Sequence, residues 1–236
     1  MEITPYLIEV VASTVHSCVE AEQGGAGRIE LCSALGSAGI TPSSGLLEVV
    51  KRHITIPVYV MIRPREGDFT YSNQEIEVML REIDLLGASG ADGFVFGALN
   101  VDNTINTELT SLLVKHCGSI PVTFHRAVDI TPDPIQAVRE IIDCGCERIL
   151  TSGGKKSVSE GIETILAMHD AAGGKISIMP GGGIKPDTFN TIYRSVLNEY
   201  HLSGRVPRLS HSPSTLFEMD WAETMKEAIT KVSFRA

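Results

Sequence analysis

Val58-Tyr-Val-Met-Ile-Arg-Pro-Arg-Glu-Gly-Asp-Phe69 is an apolar strand that runs straight into two arginines and an aspartate-bearing turn. A strand that ends in charge is built to present it. The arrangement recurs in Pro121-Val-Thr-Phe-His-Arg-Ala-Val-Asp129, which carries His125 at the strand end, and in Arg28-Ile-Glu-Leu-Cys32, which carries a glutamate and a thiol. Repetition of this kind argues for a barrel with a site at one mouth.

Working outward from these runs, apolar stretches near 7–12, 28–32, 57–63, 92–97, 121–126, 148–152, 176–180 and 199–203 read as strands. Amphipathic patterns near 14–24, 43–54, 73–88, 106–117, 134–144, 158–172, 186–197 and 218–232 read as helices. Ser13, Ser72 and Ser157 are placed as N-caps, and Pro186 falls near a first-turn position. Strict alternation of eight strands with eight helices specifies a parallel sheet, and closure at eight predicts a single (β/α)8 TIM barrel over residues 1–236. The Ser, Pro, Arg and His content of 204–217, without apolar periodicity, predicts a long mobile loop before the last helix.

Composition agrees. A chain of 236 residues with 43% apolar content supports one large core, and no linker-like shift divides it. The net charge of −9 disfavours nucleic acid and anionic membranes as partners. No apolar run approaches the roughly 18 residues of a membrane span, and Met1 to Pro5 does not read as a signal peptide, which predicts a cytoplasmic protein. Five irregularly spaced cysteines fit a reducing compartment. The close pair Cys144 and Cys146 falls at the end of a helical pattern, where both thiols read as packing around a helix terminus.

Alternation within each strand assigns faces. Ile8 and Val10 suit the helix-facing side, sending Leu7, Glu9 and Val11 into the barrel. The same phase sends Glu30, Cys32, Tyr59, Met61, Arg63, Thr123, His125, Ser177, Met179, His201 and Ser203 inward or to the rim, with Arg65 beyond. The outward set is apolar and the inward set polar. Charges at Glu9, Glu30, Arg63, His125 and His201 are costly to bury unless they pair or face a wet pocket, and the functional face of this fold is the one at the C-terminal strand ends. Glycine-rich turns follow the late strands at Thr151-Ser-Gly-Gly154 and Pro180-Gly-Gly-Gly-Ile184. Such turns can cradle an anion, and tight strand-to-helix turns also select glycine.

At these residues the chain resembles the CutC family of copper homeostasis proteins. The resemblance rests on Gly24 to Cys32, Thr41-Pro-Ser43, Val60 to Arg65 with Gly67-Asp-Phe69, Gly93 to Leu99, Val122 to Asp129, Arg148 to Gly153 and Met179 to Gly183. It implies a TIM barrel, a cytoplasmic location, self-association as a homodimer and an association with copper. The family commonly ends its first strand Glu-Val-Cys, whereas this chain reads Glu9-Val10-Val11. Cys32 is therefore the expected Cu(I) ligand, and inward Met61 and Met179 are the nearest soft donors.

A second reading is an enzyme acting on a small anionic, phosphorylated metabolite. Arg63 and Arg65 would clamp the anion, with Thr151, Gly181, Gly182, Gly183 and His201 as further contacts, and Glu9, Glu30 or His125 would move protons. No lysine occupies an inward strand position, so the chemistry would be acid–base or assisted by a harder divalent metal held by His125, His201 and the glutamates. Arg126 and Asp129 are expected to pair with each other and with Asp68 to order the rim.

Overall fold

The structure, a computed structural model, describes residues 6–185 and 188–203. Its elements run β1 (Leu7–Ala12), α1 (Val15–Gln23), β2 (Arg28–Leu31), α2 (Ser44–His53), β3 (Val58–Met61), α3 (Asn73–Ala88), β4 (Gly93–Phe96), α4 (Thr107–His116), β5 (Val122–Phe124), α5 (Pro134–Asp143), β6 (Arg148–Thr151), α6 (Val158–Ala172), β7 (Ser177–Pro180), α7 (Phe189–Ile192) and β8 (Glu199–Leu202). Short 3-10 turns at Leu35–Ser37 and Arg126–Ile130 follow β2 and β5. All strand pairs are parallel, in the order β7-β6-β5-β4-β3-β2-β1-β8, and a parallel bridge between Gly181 and His201 brings β7 to β8. The fold is a (β/α)8 barrel. The expected loop and helix beyond residue 203, and Pro186, lie outside the described residues.

Helix starts follow local chemistry. The Ser72 hydroxyl accepts from the Glu75 amide while the Glu75 carboxylate accepts from the Ser72 amide, a reciprocal cap. The first helix is capped by Thr14 rather than Ser13, because the Thr14 hydroxyl accepts from the Ser17 amide at 3.0 Å and the Ser17 hydroxyl reaches back. Ser157 occupies the cap position of α6, yet its hydroxyl turns to Glu160 instead of the backbone. Cys144 caps α5, and Gly145 takes φ +89 just beyond, so both nearby thiols pack at a helix end as expected.

The helix expected over 186–197 is shorter. Tyr193 leaves helical geometry with ψ 131, and the Tyr200 hydroxyl fixes the turn by accepting from the Arg194 amide at 2.9 Å and donating to the Arg194 carbonyl at 3.1 Å. Tyr6, Phe189, Tyr193 and Tyr200 cluster there with ring centroids 5.0–6.2 Å apart. Aromatic packing and the hydroxyl bridge override the helical pattern.

Two apolar layers result. Outward strand residues such as Ile8, Val10, Ile29, Leu31, Val58, Val60, Phe94, Phe124, Ile149 and Tyr200 are buried against the helices; each such side chain contributes about 1.5–3 kcal/mol by leaving water. A much smaller cluster of Cys32, Tyr59, Met61 and Val95 sits inside the barrel. The Tyr59 ring lies against two guanidiniums, those of Arg28 at 4.8 Å and Arg148 at 5.4 Å. Gly93 opposite leaves room for that ring, since a Cβ there would stand 2.6 Å from it. Gly93→Ala is therefore expected to destabilise the protein by about 1–3 kcal/mol through overpacking. Urea denaturation measures this, and an unchanged midpoint would show that the ring is not held in place.

Candidate functional site

Strand register places the charged groups. Glu9 on β1 lies opposite Arg28 on β2 and His201 on β8, so one carboxylate stands between a cation on each neighbour. Arg28 donates its Nε–H to Glu9 Oε2, and His201 Nδ1 lies 2.7 Å from Glu9 Oε1. Burial pushes the Glu9 carboxyl up, but the Arg28 charge and the His201 hydrogen bond outweigh it and hold it at about 2. Arg28 also reaches Glu199 on β8, which accepts from Arg148 on β6 and from the Ser177 hydroxyl on β7. These pairs close the base of the barrel interior.

Above them the network becomes titratable. His201 Nε2 is 3.8 Å from Glu30 Oε2, and that oxygen also accepts from the Cys32 thiol at 3.7 Å. Burial, reinforced by Glu9, pushes the Glu30 carboxyl up to about 7 even though His201 opposes it. Burial and then the Glu30 charge raise the Cys32 thiol well above its ordinary value. The His201 imidazole is pulled down by burial and carried above its usual value by Glu30 and Glu9.

A cavity of about 350 Å³ opens over this network. Glu30, Cys32, Met61 and His201 form its floor, Arg63, Phe69 and His125 one wall, and Gly182 and Gly183 part of the rim. Gly39 roofs the sulfurs: a Cβ there would stand 3.1 Å from Cys32 Sγ and 3.7 Å from Met61 Cε. Glu9, Glu30 and His201 each offer a ligand atom within 4.8 Å of the others, a spacing that could hold a metal ion. Both Glu9 oxygens are already engaged, however, so the free donors lie toward Glu30 and Cys32.

The CutC family's sequence profile matches residues 6–206. The chain belongs to the CutC family. The copper homeostasis protein cutC homologs of Mus musculus and Homo sapiens are each 50% identical over 204 residues, covering 86% of this chain and 75% of theirs. A crystal structure of CutC from Streptococcus agalactiae matches with a TM-score of 0.79 at 30% identity, covering 83% of this chain and 97% of that one.

In this CutC chain the expected site residues separate into groups. Glu30, Cys32, Arg63, His125, His201, Gly182 and Gly183 meet at the cavity. Arg65 does not join Arg63 in a clamp. It lies past Pro64, where Glu75 of the α3 cap, Asp68 and the Thr70 carbonyl take its guanidinium. Asp68 is thereby drawn away from Arg126, which pairs with Asp129 at 2.8 Å as expected and also reaches the Ser152 hydroxyl. Thr151 is sealed off, its hydroxyl donating to Asp129 at 2.6 Å, and the Gly181 amide donates to the Thr151 carbonyl. Met179 lies at the base, its sulfur accepting from Arg28 at 3.4 Å, so it is no partner for Cys32.

Arg28, Arg148 and Glu199 escaped the sequence reading. Their strand phase was the available signal: Arg28 precedes Glu30 by two, Glu199 precedes His201 by two, and Arg148 opens β6.

The raised Glu30 and His201 groups fix a pH dependence. The folded protein binds more protons than the unfolded chain between the ordinary carboxylate range and about 7, so stability falls as pH rises through that window. In Glu30→Gln this fall should be shallower by on the order of 1 kcal/mol per pH unit. Urea midpoints between pH 5 and 8 measure it; parallel profiles for the two proteins would contradict a buried, proton-holding Glu30.

Proposed function

We propose that this CutC protein handles copper, taking Cu(I) at the barrel mouth through Cys32, with Met61 and His201 completing the donor set. The observation that carries this reading is the placement of a thiol, a thioether and an imidazole on the floor of one cavity. Cu(I) favours soft sulfur donors and accepts imidazole. Val11 also lines the cavity, in the strand where the family commonly has its second thiol, so this chain supplies one thiolate. The names of the mouse and human relatives support the assignment.

The remaining four cysteines are buried and unpaired, which supports work in a reducing cytoplasm. No described helix is long and apolar enough to cross a membrane. Self-association as a homodimer belongs to the same reading and is tested by light scattering, where a monomeric mass would refute it.

Metal-outer-shell partners alone are worth about 10–100-fold in affinity, so Cys32→Ala should weaken competition with a colorimetric Cu(I) chelator by at least that factor. Unchanged competition would overturn the site. Because the Cys32 thiol sits well above its ordinary value, each bound ion must displace its proton. Cu(I) affinity is accordingly expected to rise about tenfold per pH unit across neutrality. A flat profile in the same competition assay would show that no thiol proton leaves.

A further inference from the structure

Three buried side chains around the cavity each keep one polar atom without a partner: Glu30 Oε1, Arg63 Nε and His125 Nε2. Their residues are 4%, 5% and 4% exposed, and all three line the same space. The other two such atoms among the described residues, the hydroxyls of Tyr71 and Thr110, belong to residues outside the cavity lining. Buried polar atoms are nearly always satisfied, so three on residues that line one cavity mark a space shaped for a polar guest.

Each atom specifies part of that guest. Arg63 donates through Nη1 to the Ser37 and Gly39 carbonyls and through Nη2 to the Gly67 carbonyl. No carboxylate among the described residues pairs with it, which leaves a buried permanent cation whose Nε–H is free. His125 Nδ1 accepts from the Ala127 amide at 3.2 Å, so the ring proton resides on Nε2. Burial, helped by the Arg63 charge, pushes this imidazole down to about 3, and it stays a neutral donor. The Phe69 ring stands between the two, 5.0 Å from the guanidinium and 4.8 Å from the imidazole. Glu30 Oε2 accepts from the Cys32 thiol, which leaves Oε1 unpartnered at the cavity, an acceptor in the carboxylate and the proton-bearing oxygen in the acid.

We infer that the cavity binds a small hydroxycarboxylate, whose carboxylate accepts from Arg63 Nε and His125 Nε2 and whose hydroxyl hydrogen-bonds Glu30 Oε1. The charge of the guest answers the uncompensated Arg63, and its hydroxyl, donor and acceptor at once, answers the Glu30 carboxyl. A phosphate dianion also carries a hydroxyl, but it brings two negative charges to a cavity with one unpaired cation. The volume, about 350 Å³, lies at the small end of ligand sites. Neither Arg63 nor His125 belongs to the proposed copper donors, so a change at His125 tests this guest apart from the metal, although both share the cavity and Glu30 touches Cys32.

Calorimetric titration of metal-free protein with lactate and glycerate tests this, with acetate, glycerol and inorganic phosphate as comparators. The hydroxy acids are expected to bind, acetate at least about tenfold more weakly for want of the hydroxyl, and glycerol not at all. His125→Phe, which keeps a ring against Phe69, should weaken lactate by about tenfold while leaving Cu(I) competition unchanged. In the unmodified protein, lactate should also shift the His125 Nε2 resonance in a nitrogen NMR spectrum, a readout independent of any variant. Absence of hydroxy-acid binding at millimolar concentration, equal binding of acetate, tighter binding of phosphate, or an unmoved His125 signal would each overturn the inference.

Discussion

A carboxylate with no access to water, Glu9, holds the first strand to both of its neighbours. One oxygen takes the Arg28 guanidinium from β2 and the other the His201 imidazole from β8. Parallel register makes this sharing possible, because inward positions at the same height face one another across three adjacent strands. Leaving a charge of this kind without its partner typically costs about 3–5 kcal/mol. The orientation of His201, and through it the state of Glu30 and Cys32, descends from that one group.

The interior is thus layered by the kind of cation it uses. At the base, Arg28 and Arg148 hold Glu9 and Glu199, and a guanidinium keeps its charge at every ordinary pH. Tyr59 covers both arginines with its ring and separates this layer from the sulfurs above. At the mouth the partners are an imidazole, a thiol and a carboxyl lifted toward neutrality. A rigid, permanently paired foundation supports a responsive surface.

Much of this was legible in the sequence because the inward and outward sets differ so sharply in chemistry. Period-two alternation in Leu7 to Ala12 and Val58 to Met61 put Glu9, Tyr59 and Met61 inside, and each lies there. The fates of the arginines were less legible. Sequence shows that Arg63 and Arg65 share a phase, but not that β3 stops at Met61 and that a helix cap with Asp68 captures the second of them. Met179 shared the inward phase with Met61 and differs in depth, a coordinate that alternation does not carry. The end of α7 was hidden for another reason: one hydroxyl, that of Tyr200, redirects the backbone from six residues away.

The ring of strands has a seam. Each strand from β1 to β6 shares a ladder with the next, and β1 shares one with β8, whereas among the described residues β7 and β8 meet at a single bridge, Gly181 to His201. Local opening begins where the fewest backbone bonds must break. Amides flanking this seam should exchange with solvent sooner than those of β2 to β5, and the strand freed first is the one that carries His201. Breathing of the barrel wall and exposure of His201 are thereby the same motion, one that leaves the opposite strands in place.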